Sequence, residues 1–389
     1  MKTHSGLLRR LTLGMFSAGC FAVIASAASM PHYLFTNNDN SQGNSSTVYT
    51  IAANGALTLK TVINTGEVGY DGEGSPNTNK VLVTHDRHGD CLYLSENVPN
   101  VTIPLVTSIS IKTLKVVGHF VGSGKEQVGT NGLGLAGNES YVYADFSLSQ
   151  TIGTYRKLSG CKLKFLGDVP AVGLNSGYVV GMKANQDILV VTFSDGSIES
   201  FNIANGKPVA NGDLQYSTAH SEKGYYATAV DITSDRHFAI FGDYQNALEV
   251  SDLSSGKLAP TVPYYGLGVA DIGDIFLSPD EGLLYFTDFS VGRVSAARFD
   301  KTSGLLSAGC KSAVLKGYNQ KWAFAAAITL ENTAGSGGVL YVTEPDRWIG
   351  SVRVSGHEQC SFSELQKSPT YDEHASTLES AGVFPPRTF

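Results

Sequence analysis

The chain has 389 residues, of which 16% are charged, with a formal net charge of −7 at pH 7. A nucleic-acid-binding protein needs a concentrated basic face, and the longest basic cluster here, Arg156 to Lys164, falls on a predicted turn and outer strand. The sequence also lacks a Gly-rich phosphate loop and the HExxH and GxSxG motifs. Composition therefore argues against nucleic acid as a partner and against several familiar classes of enzyme.

The first 27 residues are typical of a secretory signal peptide. Basic residues precede an apolar run over residues 11–24, and Ala25-Ser26-Ala27 provides the small side chains that a signal peptidase needs. We expect cleavage before Ala28 and a secreted or periplasmic protein. Lipidation at Cys20 is the alternative, but Ser17 stands where a large aliphatic residue is usual. The run is too short for an uncleaved membrane anchor, so we expect no membrane span.

Beyond the signal, the chain reads as a series of short strands. It opens at Tyr33 with YLFTNNDNSQGNSSTVYTIAANGALTLKTVI, which supplies three strands. A unit of about 45 residues then recurs, and a period of this length is typical of propellers. Its six copies centre on VLVTHDRHGDCLYLSEN, LGLAGNESYVYADFS, YVVGMKANQDILVVTFSDGSIESFNIANGK, ATAVDITSDRHFAIFGDYQNALEVSDLSSGK, DIFLSPDEGLLYFTDFSVGRVSAARFDKTSGLL and AAAITLENTAGSGGVLYVTEPDRWIGSVRVSG.

The clearest copy shows how the unit is built. A short apolar strand leads into a Ser278-Pro279-Asp280 turn, a second strand follows, and a polar loop leads to a third. A Thr-Ser-Gly turn then begins a fourth strand. Apolar positions alternate with period two or form short runs, so helical periodicity is absent after the signal. The sequence predicts an all-β protein of four-stranded antiparallel blades, a β-propeller.

The N-terminal unit lacks a first strand, which would leave an unpaired edge at the central channel. Residues 376–384, STLESAGVF, follow the last complete repeat and belong to no repeat of their own. We expect them to complete the first blade. The prediction is one domain over residues 28–389, a seven-bladed β-propeller closed by its C-terminal strand.

Four cysteines remain after cleavage, and an even number in an oxidising compartment permits two disulfides. Three of them, Cys161, Cys310 and Cys360, are predicted to open outer strands. Equivalent positions on different blades point away from one another, so bridges between them would require unusual geometry. The fourth cysteine is Cys91. For these four residues the sequence leaves two alternatives, disulfide bonds and unpaired thiols.

The units LSPDEGLLYFTDFSVGRVSAARFDKTSGLL and GGVLYVTEPDRWIGSVRVSG resemble the repeats of the lactonase-type propellers. That group includes 6-phosphogluconolactonase and surface proteins named for a Tyr-Val-Thr-Asn (YVTN) repeat. The shared pattern is an SPDG-like turn, LYVT, a variable loop, a Val-x-Val strand and TGxL. The resemblance implies the fold, and a function that is either sugar-lactone hydrolysis or unassigned. No catalytic signature of the hydrolases matches this sequence, so it transfers no catalytic residue.

Propeller ligands usually bind over the central channel, at the face where fourth-to-first and second-to-third strand loops converge. The repeat assigns a polar, aromatic-containing set of residues to those loops. The set comprises Asn37, Asn38, Asp39, Asp71, Glu73, His220, Glu222, Lys223, Asp243, Tyr244, Lys321, Trp322, Asp346, Arg347, Trp348, Asp372, Glu373 and His374.

Within this set, Asp346-Arg347-Trp348 suits a sugar or lactone, because Arg can bind a carboxylate or phosphate bidentately and Trp can stack on a ring. The alternative is an ion pair within the loop, with Trp covering the blade. The candidate ligand-binding residues are Arg347, Trp348, Asp346, Trp322, Lys321, Asp243, Tyr244 and Asn38.

The candidate catalytic residues are His374, Asp372, Glu222 and His220, since a neighbouring carboxylate raises the basicity of an imidazole. A solvated loop is the alternative for His374. The segment His85-Asp86-Arg87-His88 is predicted to form a first-to-second strand turn on the opposite face.

Two functions remain. The first is an exported propeller that binds a ligand or acts as a scaffold; the second is a hydrolase of a sugar lactone or related cyclic ester. We expect no cofactor, no metal and a monomer. A small-molecule or carbohydrate-like ligand and a protein partner are both open.

Overall fold

The computed structural model describes residues 30–69, 79–96, 105–125, 133–218, 227–243, 247–267, 271–288, 292–311, 314–315, 327–331, 338–356, 360–378 and 380–387. Its strands form seven antiparallel sheets, which we number as blades 1 to 7. Each has four strands from the channel outward, and blades 4 and 7 each carry one additional short strand. The predicted all-β, seven-bladed propeller is confirmed.

In each of the first four blades, one strand lines the channel and the other three follow it outward. From the channel, blade 1 contains β30 (Ala381–Phe384), β1 (Tyr33–Thr36), β2 (Ser45–Ile51) and β3 (Leu57–Asn64). Blade 2 contains β4 (Val81–Asp86), β5 (Gly89–Glu96), β6 (Leu105–Ser110) and β7 (Lys115–Val121). Blade 3 contains β8 (Leu135–Gly137), β9 (Tyr141–Phe146), β10 (Thr151–Leu158) and β11 (Lys162–Pro170), with a 3₁₀ turn at Ser147–Ser149. Blade 4 contains β12 (Val179–Asn185), β13 (Ile188–Phe193), β14 (Ser197–Ala204) and β15 (Lys207–Ala210), with β16 (Gln215–Tyr216) also paired to β14.

The remaining three blades follow the same order. Blade 5 contains β17 (Ala227–Ile232), β18 (Phe238–Asp243), β19 (Ala247–Asp252) and β20 (Val262–Tyr265). Blade 6 contains β21 (Ile272–Leu277), β22 (Leu283–Asp288), β23 (Arg293–Asp300) and β24 (Leu305–Lys311). Blade 7 contains β25 (Ala327–Glu331), β26 (Val339–Glu344), β27 (Trp348–Ser355) and β28 (Ser361–Glu364), with β29 (Thr370–Tyr371) also paired to β27.

The ring is closed by the two ends of the propeller sequence. Strand β30 pairs antiparallel with β1, with Tyr33 opposite Phe384 and Thr36 opposite Ala381. The prediction that the C-terminus completes the first blade is confirmed, although the strand itself covers only the last part of the predicted segment. Its pairing satisfies the backbone groups that β1 would otherwise expose at the channel.

The apolar core lies between blades. Among the described residues, seven clusters of buried side chains each join two neighbouring blades, and the last joins blades 7 and 1 through residues such as Leu34, Tyr341 and Val383. Both faces of a second strand are therefore covered. This explains why strands β13 and β26 are apolar along most of their length rather than alternating.

Two disulfides join neighbouring blades. Cys91 bonds Cys161 across blades 2 and 3, and Cys310 bonds Cys360 across blades 6 and 7, with Cα–Cα distances of 5.5 and 5.4 Å. The prediction that Cys161, Cys310 and Cys360 occupy equivalent positions at the start of outer strands is wrong for Cys310. Cys91 lies on a second strand, and Cys310 lies near the end of β24 rather than at its start. These positions face each other across packed blades.

A carboxylate is the last residue of the second strand in four of the seven blades, at Glu96, Asp243, Asp288 and Glu344. In blade 3, Asp145 lies one residue before the end of β9, and all five carboxylates are at most 2% exposed. Burial raises the pKa of Asp145 to about 8 and that of Glu96 to about 7. Burial, with repulsion from Asp346 and Glu364, raises the pKa of Glu344 to about 8.

Ring closure is testable by truncation. Removing residues 381–389 deletes β30 with its buried Val383 and Phe384 side chains, each contributing about 1.5–3 kcal/mol. We expect the free energy of unfolding to fall by at least about 3 kcal/mol, measured by urea denaturation. A chain ending at Arg387 keeps β30 and is the control. An unchanged unfolding midpoint in the longer truncation would contradict closure by β30.

The buried carboxylates predict how stability depends on pH. Asp145 has a folded pKa of about 8 against an ordinary value of 3.8, so between these values the folded state holds a proton that the unfolded state has lost. Stability therefore decreases as pH rises through this window, and the loss is complete above pH 8. We expect Asp145→Asn to flatten the slope of unfolding free energy between pH 5 and 8.

The matched control is Asp168→Asn, on the exposed outer strand of the same blade. Urea titrations at several pH values supply the slopes. If Asp145→Asn and the wild type have the same slope, the carboxyl of Asp145 is ionised in the folded protein at neutral pH.

Candidate functional site

We define the upper face as the one with the fourth-to-first and second-to-third strand loops, and the lower face as its opposite. The inner strands enclose a central cavity of about 850 Å³. Among the described residues, six blades contribute inner-strand residues to its walls. Much of the wall is apolar, with Val81, Val83, Ala136, Ala229 and Ile275. The cavity extends to the lower face, where first-to-second strand turns contribute Asn138 and Asp187.

Polar and charged side chains interrupt this apolar wall. The cationic groups Lys183 and Arg387 and the imidazole of His85 line the same space as Asp274 and Asn185, and Lys157 also borders it. An apolar wall with a few convergent polar groups is the usual composition of a small-molecule site. The cavity is therefore the candidate functional site.

His85 and Asp90 form a pair at the lower end of blade 2. They lie opposite each other on β4 and β5, and His85 Nδ1 is 2.6 Å from Asp90 Oδ1. An ionised carboxylate can only accept a hydrogen bond, so this contact favours the proton on Nδ1 and leaves Nε2 as an acceptor. The His85 ring also contacts the ring of Phe384, at 5.9 Å between centroids. The sequence assigned His85 to a turn, and it lies at the end of β4 beside that turn.

A buried ion pair supports the adjacent wall. The Lys157 ammonium donates to Asp86 Oδ2 at 2.9 Å and to the Asn138 carbonyl at 2.6 Å. Burial lowers the pKa of Lys157, and the attraction of Asp86 opposes this shift. With only 1% of its side chain exposed, Lys157 positions the wall rather than meeting a ligand directly.

A second charged group lies on the other side of the cavity. Asp231 on β17 contacts Lys183 at 3.0 Å and Arg387 at 3.1 Å, and its carboxylate also accepts the Leu277 N–H. Burial alone raises the pKa of Asp231, but the two cations and this N–H outweigh it and hold the pKa below its ordinary value. Asp231 is therefore an ionised anchor for both cations.

The predicted upper-face loop has a geometry that the sequence did not indicate. The Arg347 guanidinium lies over the Tyr371 ring at 5.3 Å, and Trp348 packs against the same ring at 4.8 Å. Arg347 has a φ of 78°. Asp346 has a pKa raised by burial, which the attraction of Arg347 only partly offsets. The loop and the half-exposed Tyr371 form an aromatic and cationic surface that does not line the cavity.

The neighbouring residues Asp372, Glu373 and His374 have separate environments. Asp372 is buried, and its carboxylate accepts from Thr47 at 3.2 Å and from the His374 N–H at 3.0 Å. His374 Nε2 lies 3.7 Å from Glu373, and both side chains are exposed. Asp372 thus joins blades 7 and 1, while His374 remains on the surface.

The three polar residues of blade 1 are also buried. Asp39 pairs with Lys80 at 2.6 Å, and the Asn37 amide donates to the Ser95 carbonyl at 2.8 Å. The Asn38 amide donates to Ser45 and Thr47 at 2.9 Å. These contacts stabilise loops and the junction with blade 2, and none of these side chains lines the described cavity.

The remaining predicted residues divide between the buried interior and parts of the chain that lie outside the described residues. Asp243 is one of the buried carboxylates at the ends of second strands. Those outside the described residues are Asp71, Glu73, His220, Glu222, Lys223, Tyr244, Lys321 and Trp322.

Sequence reasoning missed Lys183, Asp231, Arg387 and the pairing of His85 with Asp90. Lys183 and Asp231 lie on first strands, where the repeat was interpreted as structural, and Arg387 follows the last strand. Their common signal is a charge within or beside an inner strand, a segment whose other residues are mainly apolar. Within the described part of the chain, no group of three His, Cys, Asp or Glu residues is arranged to hold a metal ion.

Solved structures with the same fold include two candidate 6-phosphogluconolactonases. That of Bacteroides fragilis is 15% identical, covers 92% of this chain and 99% of its own, and has a TM-score of 0.66. That of Bacteroides uniformis is 11% identical, with coverages of 91% and 99% and a TM-score of 0.69. The periplasmic gluconolactonase of Pseudomonas aeruginosa is 15% identical, with coverages of 72% and 84% and a TM-score of 0.54.

No protein-family model and no curated protein matches the chain. No helix among the described residues has the length and apolar character needed to cross a membrane. At identities this low, likeness to a solved structure is evidence for the fold alone. The chain has the seven-bladed fold of the lactonase-type propellers, and the resemblance seen in its repeats is confirmed at that level.

Proposed function

We propose that this protein is an exported propeller that binds a small carbohydrate-like molecule in its central cavity. The observation that carries the proposal is the cavity itself. Its volume of about 850 Å³ lies within the usual range for small-molecule sites, roughly 300–1,000 Å³.

The chemistry of the wall favours a polyhydroxylated ring. Apolar residues such as Val83 and Ile275 offer surface to C–H groups, while Asn185, Lys183 and Asp274 offer donors and acceptors for hydroxyl groups. The two cations beside Asp231 are already matched by carboxylates, so the cavity does not concentrate one sign of charge. This balance favours a neutral ligand over a strongly charged one.

Export is supported by two separate features. The N-terminal sequence has the composition of a signal peptide. The two disulfides between blades would form and persist in an oxidising compartment, such as the bacterial periplasm or the extracellular space. One structure with this fold is a periplasmic gluconolactonase.

The binding test compares the two candidate surfaces. Purified mature protein is titrated calorimetrically with a panel of neutral monosaccharides, aldonic acids and their lactones. For a ligand that binds in the cavity, we expect Lys183→Met to lower affinity at least about tenfold, since one lost polar contact costs about 1.4 kcal/mol or more. Lys164→Met, on the exposed outer strand of blade 3, is the matched control.

The variants Arg347→Ala and Trp348→Ala test the upper face in the same titrations. If they abolish binding while Lys183→Met does not, the ligand site is the Arg347–Trp348–Tyr371 surface. If no member of the panel binds the wild type, the scaffold function replaces the proposed ligand-binding function.

The alternative function is hydrolysis of a sugar lactone or related cyclic ester. The observation that favours it is the His85–Asp90 pair beside the cavity, because a carboxylate that holds Nδ1–H orients Nε2 to accept a proton. In this reaction Nε2 takes a proton from water as the oxygen adds to the lactone carbonyl carbon. The ring C–O bond then breaks, and the proton passes from Nε2 to the departing oxygen.

The chain contains a matched control for this reaction. His374 also has a carboxylate neighbour, but it lies on the upper face, away from the described cavity. With a panel of sugar lactones, we expect His85→Ala to lower kcat/KM at least about 100-fold, as for loss of a general base. His374→Ala should leave the rate unchanged.

Asp90→Asn should lower kcat with less effect on KM, because the amide leaves the imidazole in place but no longer favours the productive tautomer. Hydrolysis that depends on His374 instead of His85 would move the reaction to the upper face. Absence of hydrolysis above the rate in buffer would remove the enzyme alternative.

A further inference from the structure

The C-terminal residues cross the lower mouth of the cavity. Strand β30 ends at Phe384 on the lower face of blade 1, and Pro386 and Arg387 line the cavity. The Arg387 side chain reaches blades 5 and 6, although the neighbours of blade 1 in the core clusters are blades 2 and 7. Three residues span at most about 11 Å when extended, so the segment must cross the mouth directly. We call residues 385–387 the strap.

Arg387 binds a set of groups that matches a guanidinium. One terminal nitrogen donates to Asp231 at 3.1 Å and to the Leu277 carbonyl at 2.9 Å, and the other donates to Glu281 at 3.4 Å. The guanidinium also lies over the Phe276 ring, 5.4 Å from its centroid. Carboxylates in the plane of the fork and an aromatic ring against its face recognise arginine in preference to lysine.

The site around Arg387 is buried as well as complementary. The side chains of Arg387, Asp231 and Glu281 are only 8%, 1% and 6% exposed. A nearby cation favours the ionised form of carboxylates that have so little contact with water. Without Arg387, Asp231 would keep its contact with Lys183 on the cavity side, whereas Glu281 would keep the Ser234 N–H but lose the guanidinium.

The backbone of Glu281 supports the same interpretation. It occupies the final position of the Ser278–Glu281 turn with a φ of 60°, in the left-handed region that favours glycine. Arg236 has a φ of 62° at the equivalent turn of blade 5 and pairs with Asp187 of blade 4. A side chain at this position reaches the neighbouring blade. In this disfavoured conformation the Glu281 carboxylate reaches the Ser234 N–H of blade 5 and the Arg387 guanidinium.

We propose that Asp231, Glu281, the Leu277 carbonyl and the Phe276 ring form a guanidinium-binding site whose resident ligand is Arg387. Occupancy of this site holds the strap across the lower mouth and limits entry to the cavity. The consequence for ligand entry rests on the proposed function, whereas the guanidinium site does not.

The test measures access to the cavity without any ligand. Diethyl pyrocarbonate modifies histidine, and His85 lies in the cavity wall against Phe384, just before the strap. His374 on the upper face is the internal control. In Arg387→Ala we expect several-fold faster modification of His85 and no change at His374. Arg236→Ala, which removes an exposed lower-face ion pair, should leave both rates at the wild-type values.

Chemical rescue tests the identity of the occupant. Methylguanidinium at millimolar concentration should slow the modification of His85 in Arg387→Ala toward the wild-type rate, while methylammonium should not. A wild-type rate at His85 in Arg387→Ala would overturn the strap. Equal rescue by methylammonium would overturn the guanidinium site.

If Arg387→Ala loses its fold, both histidines will react faster, and Arg387→Lys then decides the question. This variant keeps the charge but not the fork. If diethyl pyrocarbonate modifies His85 faster in Arg387→Lys while the rate at His374 is unchanged, the proposal is supported. A wild-type rate at His85 in this variant overturns the proposal. These measurements use no sugar or lactone. The modification rate of His85 therefore tests the strap whether or not any ligand of the titration panel binds.

Discussion

The pairing of β30 with β1 is the constraint on which the rest of this structure depends. Each blade buries its two faces only against its neighbours, so an open ring would expose one face of blade 1 and one of blade 7. Closure places Leu34, Tyr341 and Val383 in one apolar cluster, and it supplies partners for the backbone of β1. The chain therefore uses its last residues to complete its first sheet.

Closure also creates the site. The cavity exists because inner strands converge around an axis, and β30 is one of its walls. The charged groups that line it come from different blades and from the C-terminus, and they lie far apart in the sequence. Lys183 and Arg387 are examples, since they lie far apart along the chain and both contact the carboxylate of Asp231. The same terminal strand, β30, closes the ring and forms part of the cavity wall, so a loss of closure would also disrupt the cavity.

The two faces of the propeller differ in the kind of chemistry they present. On the upper face, the buried carboxylates of Glu96 and Asp243 accept hydrogen bonds from the Asn44 amide and the Ala247 N–H. The Asp39–Lys80 pair is buried on the same face, and the Arg347–Trp348–Tyr371 surface faces outward. On the lower face, turns of adjacent blades exchange hydrogen bonds, as between Asn138 and Gln186 or Asn185 and Thr233. The ends of the inner strands and the strap then form the mouth of the cavity.

Much of the fold could be predicted from the sequence, because strand period, turn residues and repeat length are local properties. The repeat containing Ser278-Pro279-Asp280 indicated a four-stranded blade, and the missing first strand at Tyr33 indicated closure by the C-terminus.

The disulfide pairing could not be predicted from local pattern, since it depends on which segments face each other across two packed blades. The candidate site was missed for a similar reason. His85 and Asp90 are close in sequence, but only the folded ring places the strand end that carries His85 at the cavity. Arg387 meets Asp231 only after a chain segment crosses the ring. Local pattern determines which strands form, whereas contacts between distant side chains depend on how the strands are arranged around the axis.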